Sequence, residues 1–221
     1  MNKRVTGIGD AKAKTRMRLD PVARREQIVA AAVSIITENG ITFNTRDLAE
    51  RIGLSHPLLF KYFGSKEELI EAAVQRVFEG RFVGAIRDMQ SAPTENMIER
   101  WSQFYSEYFP QLFDRTWIRV FFSLALHEQG VTMRYLDRIV LPLVERLAAD
   151  TERFALGKTA QKNSSTHALS LELAWALHGS LVYVSIRQWI YLLPVGDSSG
   201  EFIGARVKAH FIGAKEVLKQ S

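Results

Sequence analysis

Apolar residues recur along this 221-residue chain at spacings of three and four, and no sustained alternation of β-branched and polar residues interrupts them. The pattern predicts an all-α fold of about nine helices. The first opens with Asp20 as cap and Pro21 at the first helical position, carries Ile28, Ala31, Ala32, Ile35 and Ile36 on one face, and stops at Gly40. Asn44 caps the second, and Ser55 is placed to cap the third, where Pro57 is tolerated because first-turn N–H groups lack intrahelical partners. Ser65 and Glu68 form the S-x-x-E box that starts a fourth helix, expected to run as a rod to Met89. Later helices are expected at 94–109, 115–128, 131–156 with a kink at Pro142, 166–193 and 198–219.

Within the second and third of these, Ala49, Gly53 and Leu59 fall at the spacing of a helix-turn-helix. Ala49 is small enough for close helix crossing, Gly53 can take the φ > 0 of the turn, and Leu48, Ile52, Leu54 and Leu59 fill the wedge between helices. This divides the chain into a basic tail at 1–19, too poor in apolar residues to order itself, a helix-turn-helix domain at 20–65, and a larger C-terminal helical bundle at 66–221.

Charge sharpens that division. The net charge of +5 is uneven: residues 1–66 hold 12 Lys or Arg against 6 Asp or Glu, leaving 17 against 18 for the rest. A surplus of cations confined to the helix-turn-helix segment suits a polyphosphate partner, because each neutralised phosphate releases condensed counterions. There is no cysteine and the N-terminus has no apolar signal core, which makes a cytoplasmic location the expectation. The apolar stretch from Leu171 to Leu193 includes Glu172, His178, Arg187 and Gln188, so it reads as a bundle helix rather than a membrane span.

The sequence from Arg25 to Leu69 resembles the head of the TetR family of bacterial transcriptional regulators. The likeness is carried by R-x-x-I-x-x-A-A, Gly40, T-x-x-L-A-E, Gly53-Leu54-Ser55, and Tyr62-Phe63 followed by Ser65-Lys66-Glu67 and Leu69. It implies that the stretch from Ser55 to Tyr62, with Pro57 in its first turn, enters the DNA major groove. Base reading is then assigned to Arg46, His56, Leu58 and Lys61, with Arg46 suited to a bidentate guanine contact and Leu58 to a thymine methyl. Thr45, Tyr62 and Lys66 would hold register on phosphates. Leu58 and Phe60 depart from the family pattern, which favours Thr or Ala and Tyr there; Phe60 has no hydroxyl for a phosphate, so packing is the alternative use of its ring.

For the body the same resemblance implies a small-molecule effector and a homodimer. Candidate ligand-binding residues are Trp101, Tyr105, Trp117, Phe121, His127, Trp175 and His178, with Arg119, His127, His178 or Arg187 supplying a polar contact, His178 first. Apolar stripes on the last two helices, including Ile203, Val207, Phe211, Ala214 and Leu218, fit either a four-helix contact between two copies or the core of one. No cofactor, metal or catalytic residue is expected. Gly196-Asp197-Ser198-Ser199-Gly200 satisfies G-x-S-x-G, but it lies between two helices rather than after a strand, so Ser198 reads as turn chemistry. The five histidines lack short ligand spacing. The expected function is a ligand-released repressor on a palindromic operator in double-stranded DNA, with a hydrophobic-ligand carrier and an effector-free DNA organiser as rivals.

Overall fold

The computed structural model describes residues 20–78, 87–89, 91, 95–112, 114–196 and 200–220. Among these it is all-helical, with α1 (Pro21–Asn39), α2 (Thr45–Arg51), α3 (His56–Tyr62), α4 (Lys66–Phe78), α5 (Met97–Leu112), α6 (Arg115–His127), α7 (Gln129–Tyr135), a π-helical turn (Leu136–Val140), α8 (Leu141–Leu156), α9 (Ser165–Trp189) and α10 (Gly200–Lys219). The expected tail, and Ser198, lie outside the described residues, as do residues 79–86 of the expected rod.

The local rules act where the sequence places them. Asp20 Oδ2 accepts the Ala23 N–H at 3.4 Å, and Asn44 Oδ1 accepts that of Arg46 at 2.9 Å. Gly40, at φ +81°, ends α1. Ser65 Oγ accepts the Glu68 N–H at 3.1 Å, while the Glu68 carboxylate takes the N–H of Gly64 at 2.8 Å rather than that of Ser65. Ser55 stands at the N-cap of α3 but its side chain makes no capping bond.

The expected single helix over 131–156 is two helices joined by a π turn, giving ten α-helices among the described residues. Pro142 has no N–H to bond back to the carbonyl four residues earlier, and just before it the Leu141 N–H reaches Leu136 O, five residues back. The helix expected to stop at 109 instead carries Pro110 in its last turn and ends at Leu112.

The body core is built by α5, α8, α9 and α10, which pack on one another. Ile203, Val207, Phe211, Ala214 and Leu218 are each 3 % exposed or less, so this stripe belongs to the core of one chain. Its opposite face on α10, with Phe202, Ala205, Ala209 and Ile212, is exposed, as are Ala176, Gly179 and Tyr183 on α9. Ser165–Trp189 is the one described helix long and apolar enough to cross a membrane; here Ala174, Leu177, Leu181 and Val184 bury one of its faces in the bundle. Asp150, fully buried, ties α8 to α5: its carboxylate accepts from Arg100 at 2.5 Å, Trp101 Nε1 at 3.0 Å, and Arg146 and Arg153 on its own helix. A buried anion so surrounded fixes how α5 and α8 register, since losing the carboxylate would leave three arginines facing one another without a counter-charge. α6 bridges the two parts, packing on α1 and α4 and also on α9 of the bundle.

Candidate nucleic-acid interface

The turn between α2 and α3 is made by Gly53 at φ +65°. The Leu54 N–H bonds Ala49 O at 2.9 Å and the Gly53 N–H bonds Glu50 O at 2.9 Å, closing the end of α2 before the chain turns into α3. Ala49 is 2 % exposed, and Leu48, Leu59 and Phe63 are completely buried. α3 is therefore pinned through Leu59 and Phe63, and its other face, with Ser55, Pro57 and Lys61, stands in solvent. Leu58 and Tyr62 are half-buried beside it.

The nine residues expected at DNA lie in one region but in different states. Arg46 and Lys61 are exposed, and their side chains have no hydrogen-bond or ion-pair partner among the described residues. Thr45 and His56 engage each other, Oγ1 to Nε2 at 2.9 Å, which joins the first turn of α2 to that of α3. The His56 ring also meets Phe60 edge-on at 5.0 Å, and Phe60 is half-buried against the core; packing is the use this ring has. The Lys66 ammonium donates to Phe43 O at 2.7 Å and sits 4.7 Å over the Phe43 ring, so it is already engaged within the fold.

Sequence reasoning missed the arginines that hold this surface in place. Arg25 donates to Tyr62 O at 2.5 Å at the end of α3 and lies 4.0 Å over the Phe63 ring. Arg51 pairs Glu38 through both terminal nitrogens, at 2.7 and 2.9 Å, locking α2 to α1; this pairing, with help from Ser34, holds the Glu38 carboxyl down at about 2. Arg119, expected to orient a ligand, instead donates to Thr37 O and, at 3.1 Å, to Glu38 O, satisfying the open end of α1 from the body. Four residues on, Ser123 Oγ accepts the Ile41 N–H at 2.7 Å. These partners lie 13 to 82 residues apart in sequence, so no local spacing announces them.

The aromatic residues expected to bind ligand fall into two packed groups. Trp101 and Tyr105 are completely buried, and Tyr105 Oη lies 3.4 Å from Nδ1 of His178, whose imidazole burial pushes down to about 4 and so keeps neutral. Trp175 is half-buried with its ring 6.0 Å from that of His178. Trp117 stacks on Phe121 at 4.9 Å, beside Phe78 and Tyr135. His127 is exposed with Nδ1 2.9 Å from Ser123 O. Arg187 has a buried Nε without a hydrogen-bond partner among the described residues.

Comparison with known proteins agrees with this architecture. Residues 28–73 match the family model of bacterial regulatory proteins, tetR family. The uncharacterized HTH-type transcriptional regulator YvaF of Bacillus subtilis (strain 168) is 31% identical over 78 residues, which span 35% of this chain and 40% of that protein. A TetR-like transcriptional regulator from Rhodococcus sp. RHA1 superposes with a TM-score of 0.64 at 24% identity, covering 89% of this chain and 100% of the other. A tetR-family transcriptional regulator from Streptomyces coelicolor does so at 0.59 and 16% identity, over 90% and 83%. At such identities the two structures speak for the fold.

Proposed function

For a chain that belongs to the TetR family by its head and takes the fold of such regulators over most of its length, we propose sequence-specific binding to operator DNA as a repressor released by a small apolar or aromatic ligand in the body. The observation that carries this reading is the open face of α3. It is fixed from behind by Leu59, Phe63 and Arg25, flanked by the unpartnered cations Arg46 and Lys61, and set on a head with a surplus of positive charge. A rigid helix with free cations beside it is what major-groove reading requires. Arg46, Leu58 and Lys61, with Ser55 and Pro57 at the leading turn, are the reading residues; Thr45, His56, Tyr62 and Lys66 hold the surface in shape and steady it on phosphates.

The exposed faces of α9 and α10 support a homodimer, whose twofold axis would place two α3 helices on a palindrome. Small residues there, Ala176, Gly179, Ala205 and Ala209, allow close helix approach. Release follows by linkage: a ligand that favours a different head spacing weakens the operator complex, and the operator weakens ligand binding by the same factor. Selecting bound duplexes from random DNA tests the reading. The expected product is a palindrome bound with steep salt dependence; recovery of no preferred sequence would overturn it.

A further inference from the structure

A cavity of about 480 Å³ lies between two helix faces: Glu71, Val74, Gln75 and Phe78 on α4, and Val131, Arg134, Tyr135, Arg138 and Ile139 on α7 and the π turn. Its size falls within the range of about 300 to 1,000 Å³ typical of small-molecule sites. Val74, Phe78, Val131, Tyr135 and Ile139 give it an apolar and aromatic wall, backed by Trp117 and Phe121 stacked behind Phe78. Arg134 and Arg138 are both exposed and have no intramolecular partner among the described residues, and Glu71 is the single acid in the lining. None of the seven residues expected to bind ligand lines this space.

We propose that this cavity takes an amphipathic carboxylate, its apolar tail against Phe78 and Tyr135 and its head paired with Arg134 and Arg138. Two free guanidiniums against one carboxylate select an anion, and a planar fork matches a carboxylate through two parallel hydrogen bonds. The π turn contributes to the shape, since Arg138 and Ile139 lie within it, and such turns recur at functional sites. The proposal rests on the regulator reading for its consequence: α4 is one wall of the cavity and begins four residues after α3 ends. A tail wedged against Val74 and Phe78 therefore bears on the element that carries α3.

Decanoate and decanol, titrated calorimetrically into the full chain, test it. Decanoate should bind saturably, one per chain, and decanol at least about tenfold more weakly, the worth of one charge-assisted contact. The double variant R134Q/R138Q should bring decanoate down to the level of decanol. V131W, which puts an indole among the apolar lining where the tail would lie, should abolish both, with thermal unfolding checked for each variant. Absence of saturable decanoate binding overturns the proposal, as does binding that survives V131W; binding lost in V131W but kept in R134Q/R138Q overturns the choice of an anion. Operator binding is measured on the same protein. If a palindrome is bound and decanoate ignored, the cavity assignment alone fails, whereas decanoate binding without duplex binding sinks the regulator reading and leaves the cavity standing.

Discussion

Two cations near the recognition helix separate cleanly by their partners. The Arg46 side chain has no hydrogen-bond or ion-pair partner among the described residues, so Arg46→Ala should leave thermal stability within about 0.5 kcal/mol. It should cost about 1 to 3 kcal/mol of operator affinity and relax one base position, as read by repeating the duplex selection. Lys66 is bonded to Phe43 O, so Lys66→Ala should lower stability by about 1.5 kcal/mol before any DNA is added. Denaturant titration distinguishes the two. The buried imidazole of His178 and the half-buried one of His210, on α10 with its Nε2 2.9 Å from Thr151 Oγ1, give a pH dependence with a defined sign: burial lowers both from 6.5 to about 4. Between those values the unfolded chain binds protons that the folded chain refuses, so stability is full above about 6.5 and falls as pH drops toward 4. The loss is on the order of 3 kcal/mol for His178 and less for the more open His210. Unfolding His178→Gln at neutral and acid pH should show a flatter slope than the parent, whatever its absolute stability.

Elements whose chemistry is local were legible in the sequence, and those defined by distant partners were not. Asp20, Asn44, Gly40 and Gly53 act within a few residues of themselves, and each occupies the place its type demands. Gly53→Ala should accordingly cost about 1 to 2 kcal/mol, because φ +65° opposes a β-carbon. The two faces of α10 show the limit: both are apolar, and periodicity cannot say which meets its own chain. The structure separates neighbours. Phe211 is completely buried and Ile212 is half exposed, at 50 %. Phe211→Ala should cost roughly 3 to 5 kcal/mol of folding. Ile212→Glu should instead leave folding nearly untouched and shift the proposed homodimer toward monomer in sedimentation; a dimer that persists would move the interface elsewhere. Similarly, Pro142 announced a break, but that the break takes the form of a wide turn whose residues face α4 across a cavity is visible only in the structure.

At the scale of the molecule, the head has two attachments to the body rather than the single rod the sequence suggested. α4 continues directly from α3, and α6 grips the other end of the head, with Arg119 on the last carbonyls of α1 and Ser123 on the Ile41 N–H. The grip was invisible in the sequence because its residues lie about 80 positions from their partners and resemble any surface arginine and serine. On the proposed reading, a ligand wedged against α4 would act on a head that α6 holds at a second point. Ser123→Ala isolates that point. The Ile41 N–H, on a residue only 5 % exposed, would lose its acceptor at a cost of about 1 to 3 kcal/mol. If the junction opens as a unit of its own, amide exchange at Ile41 and the end of α1 should accelerate about tenfold or more while amides of Leu147 and Ala148 keep their parent rates. Uniform acceleration across α8 would mean that head and body open together, and the second fixed point would have no separate existence.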